Sequence, residues 1–311
     1  MKILVTGASG LIGRNFVNKV NDYYPEFEIL GVSSKEADLR VEGSLSRVLK
    51  NFKADIIVHF AALVGGINAN ISNKYKFLYE NTKINLNTIH EALDHDVEYI
   101  LAAGTGCAYP KSLEGKEHTE DQYLNGTPEP TNDAYAYAKR LLLNQLSAAN
   151  ESFGLNYSYI LPANIYGPYD NFHRRNSHVV PGIIQRMHDA MINNSSTFEI
   201  WGSGKAKRDF LYIDDLMDAI ILIIKTKTCG VINIGSGIQT KITDLADEIS
   251  KALKCEMKFV FDTDKPDGQL TRVVNCDFVK QLGWKPKTTL DEGIKSTVEW
   301  FLQNPNEIRR V

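Results

Sequence analysis

The chain has 311 residues, of which 43% are hydrophobic and 23% are charged, and its formal net charge is −3. This length exceeds the usual size of one domain and allows a sizeable core, so one large domain or two interlocked domains are expected. Acidic and basic residues are interspersed and create no basic field that would attract nucleic acid or an anionic membrane. The composition therefore favours a small-molecule substrate over either of those partners.

Two further features bear on the cellular compartment. The apolar run at residues 219–224 is far shorter than the roughly 20 residues that span a bilayer, and MKILVTGASG does not resemble a signal peptide. Unpaired cysteine spacing is typical of a reducing cytoplasm rather than of a disulfide framework or a zinc site. The cysteines concerned are Cys107, Cys229, Cys255 and Cys276. We therefore expect a cytoplasmic protein without a metal site.

Short apolar runs alternate with helical stretches over the first half of the chain. The runs are KILVTG, EILGVSS, ADIIVHFAA and VEYILAAG. Their alternation predicts an α/β fold with a Rossmann-type doubly wound parallel sheet that carries helices on both faces. A helix near AYAYAKRLLLNQLSAAN and a strand at YSYILPA continue the pattern.

The second half of the chain is less regular. RDFLYI and GVINIGSG look like further sheet strands, whereas residues 182–200 and 241–301 look mostly helical, with short strands such as MKFVF. We expect a larger domain of residues 1–165 with about 207–240. A smaller C-terminal α/β domain would hold residues 166–206 and 241–311.

Three glycines follow the first predicted strand and open the first helix. Glycines there let backbone amides and the helix N-terminus approach a pyrophosphate, whose negative charge the helix dipole favours. A tight turn alone would explain one glycine but not three. The sequence therefore predicts a dinucleotide-binding loop made of Gly7, Ser9, Gly10, Leu11, Ile12 and Gly13. This loop would make the larger domain the cofactor-binding domain, and the smaller domain would then bind the substrate.

The end of the second predicted strand bears on which dinucleotide is bound. NAD-selective sites usually place an acidic residue there for the ribose 2′-hydroxyl. Here Ser33, Ser34 and Lys35 occupy that place, and small hydroxyls with a cation suit a 2′-phosphate. We therefore predict NADPH, with NADH as the alternative if Lys35 is only a solvated surface charge. Asp38 and Leu39 are expected beside the adenine.

A tyrosine and a lysine one helical turn apart can protonate an alkoxide during carbonyl reduction. The tyrosine supplies the proton, and the lysine charge lowers its pKa from about 10. Two pairs have this spacing, Tyr79 with Lys83 and Tyr135 with Lys139. Tyr135 begins the helix after the VEYILAA strand, with small neighbours that leave room for a cofactor. We predict that Tyr135 and Lys139 are catalytic and that the other pair is structural.

With these features, the chain resembles a known superfamily and, within it, one family. GASGLIG, Thr105 and the Tyr135–Lys139 pair resemble the extended short-chain dehydrogenase/reductase superfamily. Six segments in order resemble the GDP-L-fucose synthase family: HFAALVGGINAN, GTGCAYP, GTPEPTNDAYAYAK, NIYGPYDNFHRRNSHVVP, WGSGKAKRDFLYIDDL and KPDG. The resemblance implies an NADPH-dependent enzyme of nucleotide-sugar and surface-polysaccharide biosynthesis. Such an enzyme epimerises GDP-4-keto-6-deoxymannose at C3 and C5 and reduces its C4 ketone.

The resemblance also implies a role for individual residues. Thr105 would hydrogen-bond the substrate carbonyl beside the reduction pair, and Cys107 and His178 would be the base and acid of epimerisation. Further cofactor contacts are expected from Ala61, Ala62, Lys139, Pro162, Asn164, Ile165 and His178. The GDP-sugar is expected to meet Val64, Gly65, Gly66, Asn164, Arg186, Trp201, Arg208, Lys265 and Arg272. A homodimer through helices near residues 75–95 and 133–153 is also implied.

The epimerisation chemistry is consistent with these residue types. A C4 ketone acidifies the protons on C3 and C5, because the resulting carbanion is stabilised as an enolate. A thiol with a pKa near 8.5 and an imidazole with a pKa near 6.5 can take up and release those protons near neutrality. A cysteine at a strand end is also often a small buried apolar residue, and His178 could instead cap a loop.

The chain departs from the family pattern at three places. Gly106 replaces the serine that the family usually carries, Ser9 replaces a common basic residue, and Arg272 is the remaining cation after KPDG. An alternative activity is therefore C4 reduction without epimerisation, on a related substrate such as a GDP-4-keto-heptose. A remote alternative is a cofactor-sensing protein without turnover. Sugar-nucleotide dehydratases are disfavoured because Gly106 and Cys107 stand where those enzymes carry an Asp-Glu pair.

Overall fold

The computed structural model describes residues 1–174, 177–265 and 271–309. Within these ranges the strands are β1 (Lys2–Thr6), β2 (Glu28–Val32), β3 (Ile56–His59), β4 (Tyr99–Ala103), β5 (Glu117–His118), β6 (Asn156–Pro162), β7 (Asn164–Tyr166), β8 (Thr197–Trp201), β9 (Lys207–Arg208), β10 (Phe210–Tyr212), β11 (Gly230–Ile234), β12 (Thr240–Lys241), β13 (Lys258–Asp262) and β14 (Thr271–Val274). The α-helices are α1 (Leu11–Tyr23), α2 (Ser44–Phe52), α3 (Ile67–Ser72), α4 (Lys74–Asp94), α5 (Asp133–Phe153), α6 (Val179–Ile192), α7 (Ile213–Thr226), α8 (Ile242–Ala252), α9 (Asp277–Gln281) and α10 (Leu290–Gln303).

A six-stranded parallel sheet forms the centre of the molecule. Its order is β11-β6-β4-β3-β1-β2, and each neighbouring pair is parallel. Strands β3 and β4 are buried along their whole length, as expected for continuous apolar runs covered by helices on both faces. The predicted doubly wound α/β fold is confirmed.

Two glycines allow the tight connection between β1 and α1. Gly7 has a φ of +70°, and a Cβ there would lie 2.6 Å from the backbone nitrogen of Ala61. A Cβ on Gly13 would lie 2.3 Å from the carbonyl oxygen of Gly7. Because backbone cannot yield as a side chain can, these positions admit only glycine without a shift of β1, β3 or α1.

The remaining strands form smaller sheets beside the carboxyl edge of the central one. A four-stranded sheet has the order β12-β9-β14-β5, while β13 pairs with β8 and β10 pairs with β7. Helices α6, α8 and α10 accompany them. These smaller sheets combine strands from both predicted parts of the chain, since β5 lies within residues 1–165 and β14 within residues 241–311.

The second half of the chain holds the strands and helices expected from the sequence. The RDFLYI segment forms β10, which pairs with β7 in a two-stranded sheet outside the central one. Residues 182–200 are mostly helical, since α6 runs to Ile192 before β8 begins at Thr197. GVINI and MKFVF are strands as expected.

Arg140 fixes α5 against the segment that follows β4. Its buried guanidinium donates to the carbonyl oxygens of Ala108 at 2.6 and 2.9 Å, Gly126 at 2.7 Å and Asn125 at 2.9 Å. These charge-assisted bonds satisfy carbonyls of an irregular loop that no strand could pair. The loop after β4 and the start of α5 are thereby held at one place.

Candidate active site

The carboxyl ends of β1, β3, β4 and β6 meet at one edge of the central sheet, where doubly wound folds bind ligands. The glycine loop lies at this edge. Gly10 precedes α1, and neither a side-chain cap nor an acidic residue occupies the first turn of that helix. Its first amides can therefore hold a diphosphate. Ser9 is exposed, and its carbonyl oxygen accepts a hydrogen bond of 3.2 Å from Arg309 Nη1.

The end of β2 holds an acidic residue that the sequence analysis did not consider. Glu36 Oε2 accepts hydrogen bonds from the backbone N–H of Ser33 at 2.8 Å and from its hydroxyl at 2.5 Å. Lys35 is exposed beside them. The signal was available in the sequence, because a glutamate three residues after a serine is placed to accept a hydrogen bond from the serine backbone N–H.

The two residues expected near the adenine differ in their surroundings. Asp38 is bound by the Arg40 guanidinium through two hydrogen bonds of 2.8 Å, which hold the pKa of its carboxyl below the ordinary value. Leu39 is buried in the core.

Thr105 and Lys139 are both fixed by the backbone at the end of β4. The Thr105 hydroxyl accepts a hydrogen bond of 3.2 Å from the N–H of Cys107, which leaves its own hydrogen free to be donated. Lys139 donates a hydrogen bond of 2.7 Å from Nζ to the carbonyl oxygen of Ala103, and its Nζ lies 5.9 Å from the centre of the Tyr135 ring. The structure therefore brings the predicted threonine, tyrosine and lysine to one place.

The electrostatics of the pair differ from the expectation. Burial raises the pKa of the Tyr135 hydroxyl, and the negative charge of the Cys107 sulfur and of Tyr123 raises it further. Lys139 is 2% exposed, and burial lowers its pKa to about 8. Burial and the neighbouring negative charges therefore outweigh the lowering of the Tyr135 pKa that was expected from Lys139.

Cys107 lies close enough to both Tyr135 and His178 for a negative charge on its sulfur to raise the pKa of each. His178 precedes α6, and its Nδ1 lies 3.9 Å from Oδ1 of Asp170. Partial loss of water lowers the pKa of His178, but Asp170 and Cys107 outweigh this and raise it above the ordinary value. A thiol and an imidazole thus meet beside the predicted carbonyl site.

A buried histidine connects β1 and β3 to the helices beside the site. His59, the last residue of β3, bonds through Nδ1 to the Thr6 hydroxyl at 2.8 Å and through Nε2 to Asn85 Oδ1 at 3.2 Å. Asn85 in turn donates to the carbonyl oxygen of Ala138, next to Lys139. Burial and the Lys139 charge lower the pKa of His59 to about 3, so the ring is neutral. Sequence reasoning missed this contact between β3, α4 and α5.

The residues expected around the GDP-sugar form two groups. Arg186 lies over the rings of Trp201, at 4.6 Å, and Phe198, at 5.1 Å, and donates a hydrogen bond to the Glu199 carbonyl oxygen. Lys265 follows β13, in which Asp262 pairs with Trp201. Arg186, Trp201 and Lys265 therefore lie along one pair of strands.

The second group lies on the four-stranded sheet. The backbones of Arg208 and Arg272 pair across β9 and β14. The Arg272 side chain and residues 266–270, which include the rest of the KPDG motif, lie outside the described residues. Asp209 accepts hydrogen bonds from the backbone N–H groups of Ser236 and Gly237 and from the Ser236 hydroxyl.

The other predicted contacts lie at strand ends. Ala61 and Ala62 follow β3, and Val64 is exposed beside Gly65 and Gly66. Gly65 must be small, because a Cβ there would lie 2.9 Å from that of Ala69. Pro162 ends β6, while Asn164 and Ile165 belong to β7, where the Asn164 amide donates to the Asp209 carbonyl oxygen at 2.8 Å.

The second tyrosine–lysine pair lies elsewhere. Tyr79 is exposed on α4 and stacks on Tyr75 with ring centres 5.7 Å apart, and Lys83 Nζ lies 5.6 Å from the Tyr79 ring centre. This geometry agrees with a structural role for the pair.

The fold, the glycine loop and the Thr105–Tyr135–Lys139 set together define a nicotinamide-dependent oxidoreductase of the short-chain type. Residues 3–235 match the model of the NAD dependent epimerase/dehydratase family. The chain is 38% identical to GDP-L-colitose synthase of Yersinia pseudotuberculosis, over 98% of this chain and 99% of that protein. It is 33% identical to GDP-L-fucose synthase of Escherichia coli (strain K12), over 99% and 98% of the two chains.

A solved structure gives the same result. A GDP-L-fucose synthetase from Naegleria fowleri bound to NADP superposes with a TM-score of 0.91 at 28% identity, covering 99% of this chain and 96% of that one. The chain therefore belongs to the NAD dependent epimerase/dehydratase family and, within it, to the group of GDP-L-fucose and GDP-L-colitose synthases.

The buried Lys139 predicts a pH-dependent stability difference. Below pH 8 both the folded and the unfolded chain carry its proton, and the buried charge costs stability. Between pH 8 and about 10.5 the folded state releases the proton first, so this cost shrinks as the pH rises. Relative to wild type, Lys139→Met should therefore gain up to about 3 kcal/mol near pH 7 from loss of the charge, and this gain should fade towards pH 10.5.

Denaturant unfolding of both proteins at intervals from pH 7 to pH 10.5 measures the difference. Lys83→Met, in the partly exposed pair, is the matched control and should show no such trend. A difference between wild type and Lys139→Met that stays constant with pH would contradict the assignment of a buried ammonium.

Proposed function

We propose that the protein uses NADPH to reduce the C4 ketone of a GDP-4-keto-6-deoxy sugar, after inverting the carbons that flank the ketone. The observation that carries this proposal is the convergence of two sets of groups. Thr105, Tyr135 and Lys139 form a carbonyl-reduction set, and Cys107 joins it to His178. The product would be a GDP-6-deoxy sugar, in line with relatives named GDP-L-colitose synthase and GDP-L-fucose synthase. The family resemblance of the sequence implies that this sugar serves surface-polysaccharide biosynthesis.

Reduction requires a polarised carbonyl and a proton donor. Thr105 would donate its free hydroxyl hydrogen to the C4 oxygen, and NADPH would supply hydride to C4. Tyr135 would give its proton to the developing alkoxide. Since burial keeps this hydroxyl protonated, Tyr135 starts in the acid form that the step requires. Lys139 would then stabilise the phenolate through its charge.

Epimerisation requires a base and an acid on opposite sides of a carbon. Cys107 as thiolate would remove the proton from a carbon next to the ketone, and His178 as imidazolium would return one from the other side. The raised pKa of His178 keeps it in its acid form close to neutral pH. The buried Gly106 beside Cys107 offers no hydroxyl to the sugar.

The cofactor preference depends on the end of β2. In NADPH binding, exposed Lys35 would pair with the 2′-phosphate, and Ser33 would stay bonded to Glu36. In NADH binding, Glu36 would release Ser33 and accept the ribose 2′-hydroxyl. The NADP in the Naegleria fowleri relative favours the first arrangement.

The GDP-sugar would contact both groups of cationic residues described above, one around Arg186 and the other around Arg208. The platform formed by Arg186 and Trp201 suits a purine ring, because a guanidinium and an indole both stack on aromatic faces. Arg208, Arg272 and Lys265 would neutralise the diphosphate. We accordingly propose residues 1–165 with about 207–240 as the cofactor domain and residues 166–206 with 241–311 as the sugar-nucleotide domain.

We also propose a homodimer that works in the cytoplasm. Helices α4 and α5 pack side by side and expose apolar side chains at helical spacing, namely Tyr75, Leu78, Tyr79, Leu86, Tyr137 and Leu141. A second copy of the same face would cover them as a two-fold four-helix bundle. No helix in the described ranges is long and apolar enough to cross a bilayer.

A second candidate differs in the product. The 38% identity with GDP-L-colitose synthase exceeds the 33% identity with GDP-L-fucose synthase, which favours the colitose precursor as an alternative substrate. Parallel assays with both GDP-4-keto sugars distinguish the two by kcat/KM.

Loss of the Tyr135 hydroxyl should abolish reduction without disturbing cofactor binding. We expect Tyr135→Phe to lower kcat by about 10²- to 10⁴-fold, because general-acid catalysis is lost. The NADPH dissociation constant should change less than about twofold. Substrate-dependent NADPH oxidation and fluorescence titration of NADPH measure the two quantities. Tyr79→Phe, the control from the second pair, should behave as wild type, and a wild-type rate for Tyr135→Phe would refute the assignment. Absence of turnover in the wild type with every GDP-4-keto sugar would favour the cofactor-sensing alternative.

Loss of the Cys107 thiol should separate epimerisation from reduction. In deuterated water the wild-type product should carry deuterium at the inverted carbons, whereas Cys107→Ser should reduce that incorporation by about 10²-fold or more. Cys229→Ser, which changes an exposed thiol on the other side of β6, is the matched control. Product NMR and mass spectra report the label. A wild-type product reduced at C4 without deuterium would support the reductase-only alternative.

A charge on the exposed α4–α5 face should separate the subunits. Leu141→Glu should shift the mass in solution from dimer to monomer, because two carboxylates would be buried at the two-fold axis. Light scattering after gel filtration measures this mass. Leu302→Glu, on α10, should remain dimeric. A monomeric wild type at micromolar concentration would overturn the proposal.

A further inference from the structure

A buried carboxylate lies beside His178 and is not used by the chemistry described above. Asp170 is 3% exposed, and its Oδ1 accepts a hydrogen bond of 2.7 Å from the N–H of Asn171. Its Oδ2 is buried and has no hydrogen-bond partner among the described residues. An ionised carboxylate in such a place is costly unless a cation or a donor approaches it. Among the described residues, the imidazole of His178 is the group that approaches this carboxylate, with Nδ1 at ion-pair distance, 3.9 Å, from Oδ1.

The backbone around Asp170 is held in an unusual conformation. Tyr169 has a φ of +68°, which a bulky residue rarely adopts. Its ring is fixed between the Arg14 guanidinium, 4.0 Å from the ring centre, and the Trp300 ring at 4.9 Å. On the other side, Phe172 donates its N–H to the Arg309 carbonyl oxygen at 2.8 Å. Strained backbone that neighbouring contacts over-determine is typical of functional positions. Here it carries the Asp170 carboxylate into the protein.

Among the described residues, Asp170 on the loop after β7 and Cys107 on the turn after β4 interact with the imidazole of His178. Helix α6, which His178 precedes, begins with Val179, Val180 and Pro181. Arg174, nearby in sequence, pairs with Asp189 at 2.7 Å. The imidazole is itself 54% exposed, so one side faces Asp170 while the rest is open to a ligand.

We propose that Asp170 is a positioning residue for the proton-donating histidine. Its carboxylate holds the proton on Nδ1 of His178, which leaves Nε2 as the nitrogen that gives a proton to the substrate carbon. This inference rests on the proposed epimerisation for its role in turnover, but the Asp170–His178 contact is a property of the free protein. The logic is that of an acid–base histidine oriented by a buried carboxylate.

The pKa shift of His178 has a direction that can be measured. A carboxylate beside the ring favours the imidazolium, so His178 should keep its proton to a higher pH than an ordinary histidine. Protonation of the sugar carbon by His178 should then fall as the pH rises through this raised pKa. Without the Asp170 charge, the same fall should occur at lower pH.

NMR titration of the labelled imidazoles tests the contact without substrate. The chain has seven histidines, and the spectrum of His178→Gln assigns the signal of His178. In the wild type we expect a pKa above the ordinary value of about 6.5 and a neutral form protonated at Nδ1. Asp170→Asn keeps an acceptor for the Asn171 N–H but removes the charge, and it should lower the pKa of His178. Asp218→Asn is the matched control. It changes a carboxylate on α7 that pairs with Lys19 and Lys287, and it should leave the pKa of His178 unchanged.

Solvent exchange tests the catalytic consequence. With NADP⁺ bound and no hydride available, deuterium should enter the sugar next to the ketone, and at pH 8 Asp170→Asn should slow this by about tenfold or more. The pH profile of exchange should move to lower pH, which a loss of packing alone would not cause. Reduction of the already inverted ketone should stay within about twofold of wild type.

The two possible failures are distinguishable. An unchanged His178 titration in Asp170→Asn would overturn the proposal, and so would an Nε2-protonated neutral ring in the wild type. The second result does not depend on Asp170→Asn and decides the matter even if that variant does not fold. Absence of exchange in the wild type would instead remove the proposed epimerisation and leave the NMR result to decide on Asp170.

Discussion

The buried ammonium of Lys139 determines how the two halves of the reduction site meet. Ala103 is the last residue of β4, and its carbonyl oxygen accepts the Lys139 hydrogen bond. A buried cation needs a hydrogen-bond acceptor of this kind, because without one it would release its proton or move out towards water. Helix α5 is therefore held against the edge of the sheet at which the chain leaves β4 and reaches Thr105. Tyr135 lies one turn before Lys139 on the same helix. Arg140 adds a second attachment to the same loop.

Cys107 links the proposed epimerisation to the proposed reduction through its charge. Burial raises the pKa of Tyr135, whereas for His178 the contact with Asp170 outweighs the lowering by burial; a negative charge on Cys107 raises both pKa values further. If the sulfur took a proton from the sugar, this charge would disappear, and each acid would then hold its proton less strongly. Removal of a proton by Cys107 would thus favour proton donation in the next step. This coupling needs no change in backbone conformation, since it acts through distance and charge alone.

The sequence predicted the fold and the place of the site more fully than its electrostatics. Alternating apolar runs indicate parallel strands, and Gly7 and Gly13 leave a clear signal because backbone approaches them closely. RDFLYI was recognised as a strand, but an apolar run does not reveal which edge of which sheet it joins, and β10 pairs with β7 outside the central sheet. The pKa of Tyr135 was misjudged for a related reason: helical spacing gives the distance to Lys139 but not the loss of water around the hydroxyl. Asp170 gave no recognisable pattern, since its relation to His178 arises from a turn at Tyr169.

The hydrogen bond from Arg309 to the Ser9 carbonyl oxygen joins residues 300 positions apart. Such a contact closes a very long loop, and the entropy lost in closing it slows its formation. During synthesis, the sheet can assemble around β1 long before this bond is possible. The glycine loop before α1 thus gains this support only after Arg309 has been translated. A nascent chain that stalls earlier would hold a nearly complete Rossmann sheet whose glycine turn still lacks one of its contacts.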